Sequence, residues 1–435
     1  MMTRYLHVFL SMAVLCFLVT FSSPAQAITR YVSVSGCGGI PSPCYAQVSA
    51  AVDASNGGDV IHIYPGTYLN EANLNTMDTQ GNISLITVNA SGVPTPGTAT
   101  MTNSDVAPLF CDGFTGDITV NGLNLECTDN TPGNDQESGL VFRNVTGRIT
   151  LIDVDARSTS WDGIAIYSCT GDVTITRCTA HNSYDDGFSI SEGTTGNATI
   201  TDSRAYENFQ DGFQFDMTGN VILTDCLSEN NDNPQIPDND EDGFDLEVNG
   251  DINIDECRAL NNGQEGIDIE FCSGSVSITD STSQNNGGEG IDTDELGTGL
   301  LIERCRTLSN TGEGIQVASY QAPEGPITIS CCDIAGNDEG LHLYEDATVQ
   351  AINNWWGNAS GPDESGNLGG TGDSIVIEDA GTVNYNPWLT TQFSQSAACG
   401  GSTQSIPTTD TWGMIIMATI LALAAFKFMP RCQGA

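Results

Sequence analysis

The sequence predicts an all-β fold, a single-chain parallel β-helix or solenoid of about ten coils. Three observations point there. An acidic residue, a glycine and a large apolar residue recur together, with the glycines at Gly163, Gly187, Gly212, Gly243, Gly266, Gly290, Gly314 and Gly340. Gly139 and Leu140 begin the series one period earlier. A second, alternating segment recurs between these motifs, at Val173–Thr176, Ala198–Thr201, Val221–Thr224, Ile252–Asp255, Val276–Thr279, Leu300–Glu303 and Ile327–Ser330. Finally, Gly, Asn and Asp turns separate the segments and no period contains a helix-length pattern, so each period reads as two short strands. A leucine-rich repeat has a similar period, but it requires a leucine framework that this chain lacks.

Alternation assigns the faces, because successive strand side chains point to opposite sides. The residue after each glycine points inward: Ile164, Phe188, Phe213, Phe244, Ile267, Ile291, Ile315 and Leu341. Two residues further on, Ile166, Ile190, Phe215, Leu246, Ile269, Val317 and Leu343 do the same, with Thr293 as the exception. Equivalent positions stack at about 4.8 Å, so they form apolar ladders. One coil cannot bury its face alone, and the stack is the core. Cys178, Ser203, Cys226, Cys257, Ser281, Cys305 and Cys332 follow the second strand and read as a ladder of small side chains at an inward bend. Spaced Cys/Ser alternation offers no tetrahedral ligand set.

These repeats resemble right-handed parallel β-helix proteins of the pectin-lyase-like class. Val48 to Tyr68 is similar to the first coil and cap of that class. Asn353 to Gly357, Gly361-Pro362 and Pro387 to Leu389 are similar to the closing segment of its surface members. The resemblance covers about residues 30–390 and implies the fold. It implies little about function, since the fold hosts lyases, hydrolases, epimerases and adhesins.

The ends predict export. Residues 1–27 read as a signal peptide, with Arg4, the apolar run Val8 to Phe21, and Ala25-Gln26-Ala27 as cleavage site. The β-helix domain is expected over 28–392, a linker over 393–405 and a tail over 406–435. In the tail, Ile406, Pro407 and Thr408 precede Trp412 and Gly413, then an apolar run to Met429 and Arg431. This resembles the IPTL-type C-terminal sorting domain of bacterial surface proteins, departing from it at Thr409, where leucine is expected. The resemblance implies passage through the inner membrane, a place at the bacterial cell surface or outside it, membrane contact through the tail, and a sorting protease or transpeptidase as partner. Export permits disulfides. Cys37 and Cys44 close a short loop and are the expected pair, and the odd number of body cysteines leaves at least one thiol free or paired between molecules.

The formal net charge is -44, from 56 acidic and 12 basic residues. Such an excess repels nucleic acid and anionic membranes and attracts divalent cations. Lys427, in the tail, is the one lysine of the chain. The acidity concentrates on the outward face of the first strand, where Asp245, Asp268 and Asp292 form one column and Glu247, Glu270 and Asp294 a second, extended by Asp216. Neighbours about 5 Å apart repel by roughly 1 kcal/mol even in bulk water. Oxygen ligands at this density suit calcium. An insertion in the longest period ends in Asp238, Asn239, Asp240, Glu241, Asp242 and Gly243, the opening of a calcium loop without the rest of an EF-hand. The expected metal ligands are therefore Asp238, Asp240, Asp242, Asp245, Glu247, Asp268, Glu270, Asp292 and Asp294. The turn carboxylates Asp162 to Glu339 are instead expected to bond turn amides.

The expected function is an adhesin-like surface or matrix protein that binds divalent cations and, through them, acidic polysaccharide or a surface partner. Exposed Trp161, Tyr167, Tyr184 and Tyr206 would offer stacking surfaces. The alternative is a polysaccharide lyase or hydrolase. Asp185-Asp186 resembles the paired aspartates of polygalacturonase-like hydrolases, but the Gly-His-Gly and Asn-Thr-Asp motifs of that family are missing. A lyase needs a base, and the arginines Arg177, Arg304 and Arg306 flank the second-strand bend, away from the acidic face. His181 precedes the Asp185-Asp186 turn, and His342 is expected outward on the last coil.

Overall fold

The computed structural model describes residues 26–69, 81–128, 137–158, 160–232, 241–318, 325–344, 346–378 and 380–399. The chain winds into three long parallel sheets of 15, 12 and 11 strands among the described residues. The alternating segments build the 15-stranded sheet, and the strands after each glycine build the 12-stranded one. Register follows the expected ladder: Ile164 faces Phe188, Phe188 faces Phe213, Phe213 faces Phe244, and the column runs on through Ile267, Ile291, Ile315 and Leu341.

Each coil has three strands, not the two expected. The extra strands, such as Thr179–His181, Arg204–Tyr206 and Arg258–Leu260, form the 11-stranded sheet. From Thr179 onward these strands are three residues long, with one inward residue each, such as Ala180, Ala205 and Ala259. That is too short to show a period of two.

The inward ladders are fully buried and form one continuous core from Val32 to Val383. Phe188, Phe213 and Phe244 stack face to face, with ring centroids 4.7 and 4.9 Å apart. Burying each ring contributes about 1.5–3 kcal/mol. Thr293, the polar exception, is buried and its hydroxyl donates to the Gln316 carbonyl at 3.2 Å.

Two polar ladders turn the corners. At the bend after the 15-stranded sheet, a single left-handed residue precedes each Cys/Ser position: Arg177, Asp202, Asp225, Glu256, Asp280, Arg304 and Cys331, all with φ between 51° and 59°. The Cys/Ser ladder itself is buried, as expected. The Cys178 and Cys257 amides donate to Ser203 and Ser281 hydroxyls at 3.1 Å. At the next corner stands a buried asparagine ladder that the sequence reading missed. The Asn208, Asn231, Asn262 and Asn286 amides donate to the carboxamide oxygens of Asn231, Asn262, Asn286 and Asn310 respectively.

The rod is closed at both ends. A short helix, Val48–Asp53, lies over the first coil, where Arg30 Nε pairs with buried Asp59 at 2.8 Å. Trp356 is buried in the last coils. The expected Cys37–Cys44 disulfide is present, and a second joins Cys331 to Cys399. Nine further described cysteines are buried and free, consistent with an odd body count. No described helix is long and apolar enough to cross a membrane. Residues 1–25 of the expected signal segment, the calcium-loop residues Asp238 and Asp240, and the sorting residues Ile406, Pro407, Thr408, Trp412 and Gly413 lie outside the described residues.

Candidate cation-binding face

The strands Phe213–Thr218, Phe244–Asn249, Ile267–Cys272 and Ile291–Leu296 lie side by side in the 12-stranded sheet. Their first outward positions form one straight column in which Gln214 faces Asp245, Asp245 faces Asp268 and Asp268 faces Asp292. Parallel in-register pairing of a strict repeat leaves these carboxylates no other place to go.

The column is poorly solvated. Asp268 Oδ1 and Asp292 Oδ1 are buried and accept no hydrogen bond. The other Asp292 oxygen accepts from Gln316 Nε2 at 2.8 Å. Burial, and then the Asp292 and Asp245 charges, push the Asp268 carboxyl up to about 9. Burial and the adjacent Asp294 push Asp292 up to about 7. Asp294 is also raised, by burial and by Glu295. These groups hold protons at pH values where an exposed aspartate has lost them. A cation can take the place of those protons. One oxygen each from Asp245, Asp268 and Glu270 lies within 4.8 Å of the others. Oxygens so spaced can reach a single calcium ion at about 2.3–2.6 Å.

The second column does not run straight. Asp216 faces Glu247, but Glu247 then faces Phe271, because a register shift after Asp245 adds a residue to the strand Ile267–Cys272. The period from Gly243 to Gly266 is 23 residues, one shorter than the next, and the bulge takes up the difference. It sets Glu247 apart from Glu270, which joins Asp245 and Asp268 instead.

Asp242 belongs to a different structure, the ladder of turn carboxylates. The Asp186, Asp211, Asp242 and Glu265 amides donate to Oδ1 of Asp162, Asp186, Asp211 and Asp242 respectively, at 2.7–3.2 Å. Turn amides thus hold these acids, as expected. Burial first, and neighbouring carboxylates second, drive Asp186, Asp211 and Asp242 well above the usual carboxylate range. Glutamates continue the ladder, and Glu289 contacts the carboxyls of Glu265 and Glu313.

Where the two acidic columns meet the earlier coils there is an open cleft, lined by Trp161, Asp162, Tyr167, Asp185, Asp211 and Asp245 among others. Asp162, Asp185 and Asp186 each bring an oxygen within 4.8 Å of the others. Burial pushes Asp185 up to about 6. Tyr167 is buried, contrary to expectation, and its hydroxyl donates to Asp162. Trp161, Tyr184 and Tyr206 are half-buried. His181 stacks on Tyr206 with centroids 4.9 Å apart and bonds Asp155 at 2.9 Å. It belongs to the 11-stranded sheet. His342 is buried, not exposed, because the final coil folds Glu378 and Tyr344 around it.

Residues 138–298 match the family model described as the right-handed beta helix region. No curated protein matches the chain. The chain is also similar to solved structures, three of them as follows. A pectate lyase, Pel9A, is 19% identical over 73% of this chain and 81% of its own, with a TM-score of 0.40. The A-module of the Azotobacter vinelandii mannuronan C-5 epimerase AlgE6 is 15% identical over 79% of this chain and 95% of its own, with a TM-score of 0.47. A pectin methylesterase in complex with a hexasaccharide is 13% identical over 61% of this chain and 81% of its own, with a TM-score of 0.33. The three parallel sheets and the matched family region together make the chain a right-handed parallel β-helix.

Proposed function

We propose that this protein is an exported surface or matrix rod whose acidic face binds calcium and, through calcium, acidic polysaccharide or a surface partner. The carrying observation is the Asp245–Asp268–Asp292 column, with its buried inner oxygens on Asp268 and Asp292 and the Glu270 oxygen in reach. Hard oxygen donors, no nitrogen and no sulfur favour calcium over softer ions there. A bound cation would neutralise the column and leave coordination positions for a sugar carboxylate. Two disulfides suit an oxidising compartment, and the signal-like start and sorting-like tail suit display outside the inner membrane.

The test is calorimetric titration of calcium, followed by binding of polygalacturonate or alginate with calcium and with chelator. Saturable calcium binding that vanishes in Asp268→Asn/Asp292→Asn, and polysaccharide retention that needs calcium, are expected. Polysaccharide binding that is unaffected by chelator would defeat the bridging role.

A second reading rests on the cleft. Asp185, raised to about 6, sits beside Asp162 and Asp186, and two carboxyls of unequal pKa are what acid-base glycoside hydrolysis uses. Incubation with the same polysaccharides decides it: new reducing ends lost in Asp185→Asn favour a hydrolase, and unsaturated products favour a lyase. Intact polymer favours the binding protein.

A further inference from the structure

At the far end of the acidic groove the outward column stops being acidic. His342 occupies the same column as Asp245, Asp268 and Asp292, two coils beyond Asp292, facing Gln316. The His342 side chain is 9% exposed. Tyr344 stacks on it with centroids 3.9 Å apart and planes 10° apart, which fixes the ring plane. Its Nδ1 lies 3.2 Å from Glu313 Oε1 and 3.0 Å from Glu339 Oε2. Glu313 and Glu339 are successive rungs of the turn ladder. One donor atom from each of Glu313, Glu339 and His342 lies within 4.8 Å of the others.

The second ring nitrogen supplies an independent observation. His342 Nε2 is buried and has no hydrogen-bond partner. It points toward Glu378 Oε1, which stands 3.8 Å away, just past bonding range. A metal-bound histidine places its free N–H opposite a carboxylate, which fixes the tautomer and strengthens the ligand. If Nδ1 carries a metal, the proton must sit on Nε2, facing Glu378. Without a metal, Nδ1 donates its proton toward the Glu313 and Glu339 carboxylates; a metal in that proton's place would leave the ring's N–H on Nε2, on the Glu378 side.

We propose that Glu313, Glu339 and His342 form a transition-metal site, for Zn²⁺ or a similar borderline ion, distinct from the oxygen-only face of Asp245, Asp268 and Asp292. His342 Nδ1 and one oxygen from each glutamate are the ligands, and Glu378 is the positioning residue behind the ring. Imidazole suits zinc, copper and nickel, whereas oxygen-only sets suit calcium and magnesium. Three protein ligands leave a coordination position open to water or to a ligand lying along the groove. The two sites thus sort different metals along one groove.

The test uses the full-length chain, stripped with chelator and held in saturating calcium. Zn²⁺ titration is expected to show one tight equivalent that calcium does not displace. His342→Gln abolishes it, Glu378→Gln weakens it by about 10- to 100-fold, and Asp268→Asn/Asp292→Asn leaves it unchanged. Cu²⁺ electron paramagnetic resonance on the unmodified chain needs no variant: the first equivalent should show coupling to one nitrogen. An all-oxygen copper signal, zinc binding that survives His342→Gln, or zinc that calcium fully displaces would overturn the proposal.

Discussion

Two sheets of the same solenoid handle charge in opposite ways. On the 11-stranded sheet and its bends, acids meet arginines from neighbouring coils. Arg157 pairs with Glu126, Arg204 with Glu229, and Arg306 with Asp333 at 3.6 Å. Arg177 pairs with Asp153 at 2.7 Å, and Arg304 pairs with Asp280. On the 12-stranded sheet, from Phe188 to Leu343, no strand carries an arginine or lysine, and acids stack on acids. The backbone scaffold is common to both, so the difference lies in what neutralises the carboxylates. On the first face a side chain does so permanently. On the second, a proton or a cation from solution must, and the face can therefore respond to its surroundings.

The largest effect should come from the corner that both faces share. Asn286 accepts the Asn262 amide at 3.0 Å and donates to Ser283 Oγ at 2.8 Å and Asn310 Oδ1 at 3.0 Å, all buried. Asn286→Ala should destabilise the chain by about 1–3 kcal/mol, because buried partners lose their bonds. Urea unfolding at pH 6 measures this, and a loss equal to that of an exposed Asn→Ala variant would mean the ladder is not structural.

Next, removing a charge from the acidic face should stabilise rather than destabilise. Asp268→Asn relieves both burial of a charge and repulsion from two neighbours, worth about 1 kcal/mol without cation at pH 9. The pH dependence follows from the same shifts. Asp268 and Asp292 carry raised pKa values when folded, about 9 and about 7 against an ordinary 3.8. Between those limits the folded state holds more protons than the unfolded state, so stability must fall as pH rises. The fall should span from about pH 4 to about 7 for Asp292 and to about 9 for Asp268. Cation-free melting in chelator should show it, with a shallower slope in Asp268→Asn. A melting temperature that rises from pH 5 to pH 8 would contradict the desolvated column.

The smallest effect belongs to the paired face. Arg204 is half-exposed, against Glu229 and over Tyr206 at 4.2 Å. Arg204→Ala should cost about 0–1 kcal/mol, an amount that shrinks in salt. A loss comparable to that of Asn286→Ala would erase the distinction between the two faces.

The repeat alone makes the core legible. An in-register parallel stack turns sequence period directly into ladders, so Phe188, Phe213 and Phe244 could be placed from spacing alone. The Asp245–Asp268–Asp292 column was legible for the same reason. The bulge was not, because a one-residue deficit between Gly243 and Gly266 does not say which strand will absorb it. The third strand was hidden by its length. The asparagine ladder was present in the spacing of Asn208, Asn231, Asn262, Asn286 and Asn310, but asparagine in a turn reads as solvated unless the turn is known to stack. Tyr167 and His342 lie on outward positions, as alternation requires, but alternation gives direction and not cover: Asp162 and Glu378 come over them from elsewhere in the coil.

The central claim is that the acidic face exchanges protons for calcium. It is tested most directly by thermal melting of the chain at pH 8 with chelator and with rising calcium, while released protons are followed in weak buffer. A ligand bound only by the folded state stabilises it by about 2.7 kcal/mol at a hundredfold excess over Kd. The account predicts a saturable upward shift of that order, proton release on calcium addition, and the loss of both in Asp268→Asn/Asp292→Asn. No shift at pH 8, or an equal shift in that variant, would contradict it.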